Sequence, residues 1–127
     1  MRINHIALYV NDLEAAKNFF EKYFHAASSD IYINHISGFR SYFLSFGNGC
    51  RLELMTRPGM ANSPKELYRT GYAHLSISVG SEEDVDAISK QFAHDGYTVI
   101  DAPRVTGDGY YECSLRGFED NVIEITV

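Results

Sequence analysis

INHIALYV (residues 3–10) and YAHLSISV (72–79) read as two strands, each with one histidine at its third place. Apolar side chains alternate with others along both, the period-two signature of a strand with one buried face. A single histidine in an apolar run ordinarily marks a core position with a satisfied ring. Two of them, His5 and His74, 69 residues apart, suggest a chain that is one pattern written twice.

The flanking sequence follows the same order in both halves. After the first strand, Asn11-Asp12 offers a helix cap, and Leu13, Ala16, Phe20 and Phe24 recur at spacings of three and four within 12–24. FRSYFLSF (39–46) and CRLELM (50–55) read as strands joined by the turn signal GNG (47–49). After the second strand, Ser81 offers a cap, and Val85, Ile88 and Phe92 sit at helical spacing before the helix stop Gly96. YTVID (97–101) reads as a strand that Pro103 ends, and YYECSLRG (110–117) with NVIEITV (121–127) forms a closing hairpin around FED. The expectation is an α+β protein of two tandem βαβββ modules within a single domain, 1–127. Module 1 covers about 1–56 and module 2 about 72–127. The segment of about 57–71, with two of the three prolines, serves as linker or lid.

The repeat also pairs two carboxylates. Glu53 in RLELM and Glu124 in VIEIT are 71 residues apart, each in the last strand of its half. Alternation puts Ile6, Leu8 and Val10 on one face and His5, Ala7 and Tyr9 on the other. Leu75, Ile77 and Val79 likewise oppose His74, Ser76 and Ser78. Glu53 opposes Leu52 and Leu54, and Glu124 opposes Ile123 and Ile125. The four ionisable residues therefore lie away from the aliphatic face that packs on the helices, as on the floor of a cup. Two glutamates brought together repel unless one is protonated or a cation lies between them. A divalent metal resolves that conflict. Imidazole and carboxylate donors suit nickel, cobalt, zinc, manganese or iron, and the lack of thiolates argues against a closed structural zinc site. Four protein ligands on an octahedral ion leave positions for water or substrate.

Composition bounds the partners. The chain has 127 residues, 45% hydrophobic and 22% charged, with a formal net charge of -6. That charge offers no basic patch to displace counterions, so nucleic acid is not an expected partner. No apolar run is long enough to span a bilayer, and MRINHIALYVND meets polar residues too soon for a signal peptide. Cys50 and Cys113 form no CxxC pair and no disulfide framework. The expected location is the cytoplasm.

HIALYVNDLEAAKNFFEKYF (5–24), RLELM (51–55), GYAHLSISV (71–79) and EDNVIEIT (119–126) together resemble the vicinal oxygen chelate superfamily, and its glyoxalase I-like members most of all. The carrier is the ordered set His, Glu, His, Glu, with a helix after each histidine strand. The resemblance covers nearly the whole chain. It implies two βαβββ modules forming an open, barrel-like cup around one divalent metal held by His5, Glu53, His74 and Glu124, with ligands drawn from one chain or two, and a homodimer. It implies a lyase or isomerase acting on the hemithioacetal of a thiol and a 2-oxoaldehyde through an enediolate, with Glu124 as the mobile proton-transfer base. The chain departs from the family where glutathione is held. Tyr9 stands in place of the usual arginine and Arg57 in place of the usual asparagine. FEDN lacks the glycine usual before the last glutamate. Tyr9 and Arg57 are candidate substrate-binding residues. So is Glu112 in the glycine-containing stretch TGDGYYE (106–112), where Tyr110, Glu112 and Ser114 alternate toward the expected cup. The same metal set serves resistance enzymes that add a thiol to an epoxide antibiotic, and coenzyme A thioester epimerases. A metal-free, bleomycin-sequestering binding protein would instead use the nine tyrosines and eight phenylalanines to line a groove.

Overall fold

A computed structural model describes residues 2–47 and 49–127. The chain is α+β and divides into two compact units, one ending at Ser63 and one spanning Pro64–Val127.

The first unit runs β1 (His5–Tyr9), α1 (Leu13–Phe24), β2 (Ala27–Ser28), β3 (Tyr32–Asn34), β4 (Phe39–Ser45) and β5 (Arg51–Thr56). Its sheet has the order β1-β5-β4-β2, with β3 also pairing β4. β1 and β5 are parallel and the other pairs antiparallel. The second unit runs β6 (Leu75–Ser78), α2 (Glu82–His94), β7 (Val99–Val105), β8 (Tyr111–Arg116), a 3-10 turn (Phe118–Asp120) and β9 (Val122–Thr126). Its order is β6-β9-β8-β7, with β6 and β9 parallel. In each unit the first strand lies at an edge, beside the last.

The repeat extends to individual hydrogen bonds. Asp12 caps α1 by accepting from the Ala15 N–H, and Ser81 caps α2 by accepting from the Asp84 N–H. The Val10 N–H donates to the Met55 carbonyl and the Val79 N–H to the Thr126 carbonyl, each at 2.9 Å. These partners stand at the spacings of the histidines and glutamates, so both parallel pairs are in the same register.

Packing explains the alternation. In β5, Leu52 and Leu54 are buried beneath α1, and in β9, Ile123 and Ile125 are buried beneath α2. Arg51, Glu53, Val122 and Glu124 on the opposite face are half-buried. Burial of each such aliphatic side chain contributes about 1.5–3 kcal/mol, which fixes the face on which each glutamate emerges.

Several sequence expectations are corrected. The strand 72–79 is shorter, so His74 immediately precedes β6 instead of lying inside it. α1 buries Phe19 and Tyr23 beside Leu13, Ala16 and Phe20, while Phe24 is only half-buried. In α2, Ile88 is half-buried and Ser89 takes the buried place. β2 and β3 enter the first sheet although two or three residues are too few for alternation to register. Pro103 does not end its strand. β7 runs to Val105 as an edge strand, and its pairing with β8 shifts register between Asp101 and Arg104, so the missing N–H is tolerated there. The turn expected at 47–49 includes Asn48, which lies outside the described residues.

Candidate metal and substrate site

The shared register sets one His–Glu pair in each unit. Glu53 is directly opposite Ala7, and Glu124 directly opposite Ser76. Each histidine stands two residues before that small partner, on the same face. The pairs close at His5 Nε2–Glu53 Oε2 3.8 Å and His74 Nε2–Glu124 Oε2 3.5 Å. Side-chain exposures also match, 40% and 15% in the first pair, 42% and 18% in the second. The two pairs are thus equivalent by register, distance and access.

Both separations exceed hydrogen-bonding range for N–H···O. Two donors about 2.1 Å from one ion, at 90–110° to each other, stand about 3.0–3.4 Å apart. Each pair therefore fits a pair of ligands after a shift of a few tenths of an ångström. Among the described residues no group of three or more His, Cys, Asp or Glu side chains forms a metal-sized cluster.

The surroundings of the pairs differ. His5 Nδ1 lies 2.9 Å from Asn4 Oδ1, which also accepts from Arg51 Nη2 at 2.9 Å. Phe43, directly opposite Glu53, meets the His5 ring edge-on with centroids 5.3 Å apart. Glu124 instead faces Ser114 on β8 and borders a cavity of about 340 Å³. That cavity is lined by Ser76, Asp108, Tyr110, Glu112, Glu124 and Thr126.

Glu112 is thus brought beside Glu124. Burial raises its carboxyl above the usual range, and the Glu124 charge raises it further, against a lowering by Arg104. Arg104 Nη2 lies 3.8 Å from Glu112 Oε1 and 3.8 Å from Asp101 Oδ2, so its charge is already shared between two carboxylates. Asp108 is held in its turn by the Thr106 hydroxyl, which donates to Oδ1 at 2.6 Å. Tyr9 and Arg57 belong to the first unit. Tyr9 pairs in register with Met55 and is 49% exposed, and Arg57, exposed, directly follows β5.

Asn4, Phe43, Arg51 and Asp108 are absent from the sequence expectations. For Arg51 a signal existed, since it precedes Glu53 by two residues and so shares its face. Asn4 offered only adjacency to His5.

The chain matches the Glyoxalase/Bleomycin resistance protein/Dioxygenase superfamily over residues 2–125. No curated protein matches it. Among solved structures it is similar to a possible glyoxalase from Bacillus cereus, at 27% identity and TM-score 0.72, over 100% of this chain and 99% of that one. It is similar in fold to the genomically encoded fosfomycin resistance protein FosX from Listeria monocytogenes, at 18% identity and TM-score 0.72, over 98% and 89%. It is also similar in fold to glyoxalase I from Zea mays, at 17% identity and TM-score 0.80, over 98% of this chain but 44% of that one.

Proposed function

The chain belongs to the Glyoxalase/Bleomycin resistance protein/Dioxygenase superfamily, and from that premise we propose that it is a metal-dependent, glyoxalase I-like lyase or isomerase. Its substrate class is the hemithioacetal of a thiol and a 2-oxoaldehyde, or a related compound that reacts through an enediolate. One observation carries the reading: two His–Glu pairs set by the same parallel register, at 3.8 and 3.5 Å. A lone pair of donors holds a divalent ion weakly, so the proposed ligand set is both pairs together, His5, Glu53, His74 and Glu124. The donors are nitrogen and oxygen only, which suits nickel, cobalt, zinc, manganese or iron. When bound, such an ion supplies a Lewis acid for the oxyanion character that develops on the substrate.

The protein's own residues supply the rest. Glu124 borders the cavity and is the proposed base, taking a proton from one substrate carbon and returning it to the next. Glu53, opposite Phe43, is the proposed ligand alone. The hydroxyls of Ser76 and Tyr110 offer donors to substrate oxygens. Cys50 and Cys113 are free thiols, in keeping with the cytoplasmic location proposed here.

Elemental analysis and titration of metal-free protein test the ligand set, with about one divalent ion per four-residue set expected. Absence of uptake would overturn the reading and favour a metal-free binding protein. A panel of thiol–aldehyde adducts, assayed with each candidate metal, tests the reaction. The second reading is a resistance enzyme that adds a thiol to an epoxide antibiotic, kept because the chain shares its fold with a fosfomycin resistance protein. Activity on the epoxide and none on the hemithioacetals would select it.

A further inference from the structure

Asn4 Oδ1 meets two nitrogens, His5 Nδ1 and Arg51 Nη2, each at 2.9 Å. A guanidinium only donates, so the amide atom it meets must be the oxygen. The imidazole nitrogen on that same oxygen must then carry a hydrogen. In the neutral ring this leaves the lone pair on Nε2, the nitrogen that faces Glu53 at 3.8 Å. Arg51 is itself held from two further sides. Its guanidinium lies over the Phe43 ring at 4.4 Å, and its backbone N–H donates to the Asn4 carbonyl at 3.3 Å.

We propose that Asn4 and Arg51 are positioning residues that lock His5 in the Nδ1–H tautomer, so that the first His–Glu pair is preset as a ligand pair and the second is not. The inference rests on the metal reading above. The asymmetry follows from what the repeat puts at the equivalent places. Ala73 precedes His74, Val122 stands two residues before Glu124, and Ser114 is opposite Glu124 where Phe43 is opposite Glu53. The side chains of those three residues offer no amide oxygen, no guanidinium and no aromatic face. The two pairs agree in distance and exposure, and differ in what stands behind the histidine. An acceptor behind a ligating histidine fixes ring orientation and tautomer, and its loss typically costs 10–100-fold in metal affinity.

The test is long-range nitrogen NMR of the histidine rings in metal-free protein, about two pH units above the ordinary imidazole pKa. Zinc and nickel titrations of the same samples accompany it, and His5→Gln and His74→Gln assign the signals. Wild-type His5 is expected as the Nδ1–H tautomer. Asn4→Leu should move it toward Nε2–H and weaken metal binding by about 10–100-fold. Arg51→Met should act in the same direction, and Asn4→Asp, which keeps an acceptor, should preserve the wild-type tautomer. The His74 signals should stay in place throughout. A wild-type His5 resting as Nε2–H would overturn the inference, as would an Asn4→Leu protein with tautomer and affinity unchanged. Failure of the metal reading has a different signature: wild-type protein takes up no metal while His5 still shows the Nδ1–H tautomer and Asn4→Leu still shifts it.

Discussion

Glu53 and Glu124 hold the same place in two copies of one register, yet one faces an aromatic ring and the other a cavity edged by hydroxyls and two further carboxylates. A base must be free to reach substrate, so the surroundings support the roles proposed above. Glu124→Gln keeps an oxygen for a metal but loses basicity. It should lower turnover at saturating metal by on the order of 10²-fold or more, with a smaller effect on metal affinity. Glu53→Gln should weaken metal binding and keep partial turnover once metal saturates. Kinetics beside metal titration of both variants check this, and near-full activity in both would pass the base role to Glu112. If Tyr9 and Arg57 stand, as the resemblance implies, where glutathione is usually held, turnover of methylglyoxal adducts of glutathione, bacillithiol and coenzyme A should show no large glutathione advantage. The two His–Glu pairs were legible because a repeat marks them twice and strand parity sorts each pair to one face. Asn4 and Arg51 were not, because their part depends on which amide atom and which ring nitrogen meet. No pattern of residue types encodes that.

The elements were legible wherever periodicity had room to act. Both helices, their caps, and the strands that hold the glutamates follow from spacing and cap chemistry. β2 and β3 did not, being stabilised by pairing with β4 and too short to show a pattern. The hairpin before Glu124 shows what a missing glycine does. Glu119 and Asp120 have φ of 50° and 61°, the left-handed region that costs a residue with a Cβ about 1–2 kcal/mol. Asp120→Gly should therefore stabilise the fold by about 0.5–1 kcal/mol after the extra unfolded-state entropy of glycine is subtracted, measurable by urea unfolding. A second expectation ties α1 to β4. The Tyr42 hydroxyl donates to Glu14 Oε1 at 2.7 Å, and that bond pushes the phenol from its ordinary 10.0 up to about 12. The bond's contribution to stability is full below pH 10 and is lost as pH rises toward 12. Tyr42→Phe should cost about 0.5–1 kcal/mol near neutral pH, the site being exposed to solvent, and the difference from wild type should vanish at the alkaline end. Unfolding curves of both proteins across that range decide it.

At the scale of the molecule, no helix among the described residues is long and apolar enough to cross a membrane. Each sheet has its first strand at an edge, and edge strands invite further pairing. With the family's habit of forming dimers, this makes a homodimer the expected state. Light scattering should give about twice the 14.3 kDa chain mass, and a metal-loaded monomer at working concentration would contradict it. The edge position has a consequence for biosynthesis too. Since each His–Glu pair joins the first strand of a unit, or the residue just before it, to the last, neither pair exists until its unit is nearly complete. His5 emerges from the ribosome 48 residues ahead of Glu53, and His74 emerges 50 ahead of Glu124. At about 5–20 residues per second, each histidine waits seconds for its carboxylate. A nascent chain can therefore offer single imidazoles to stray cations, but no paired site, until the strand bearing the glutamate has docked. Capture of the proposed ion would thereby be tied to completion of the fold.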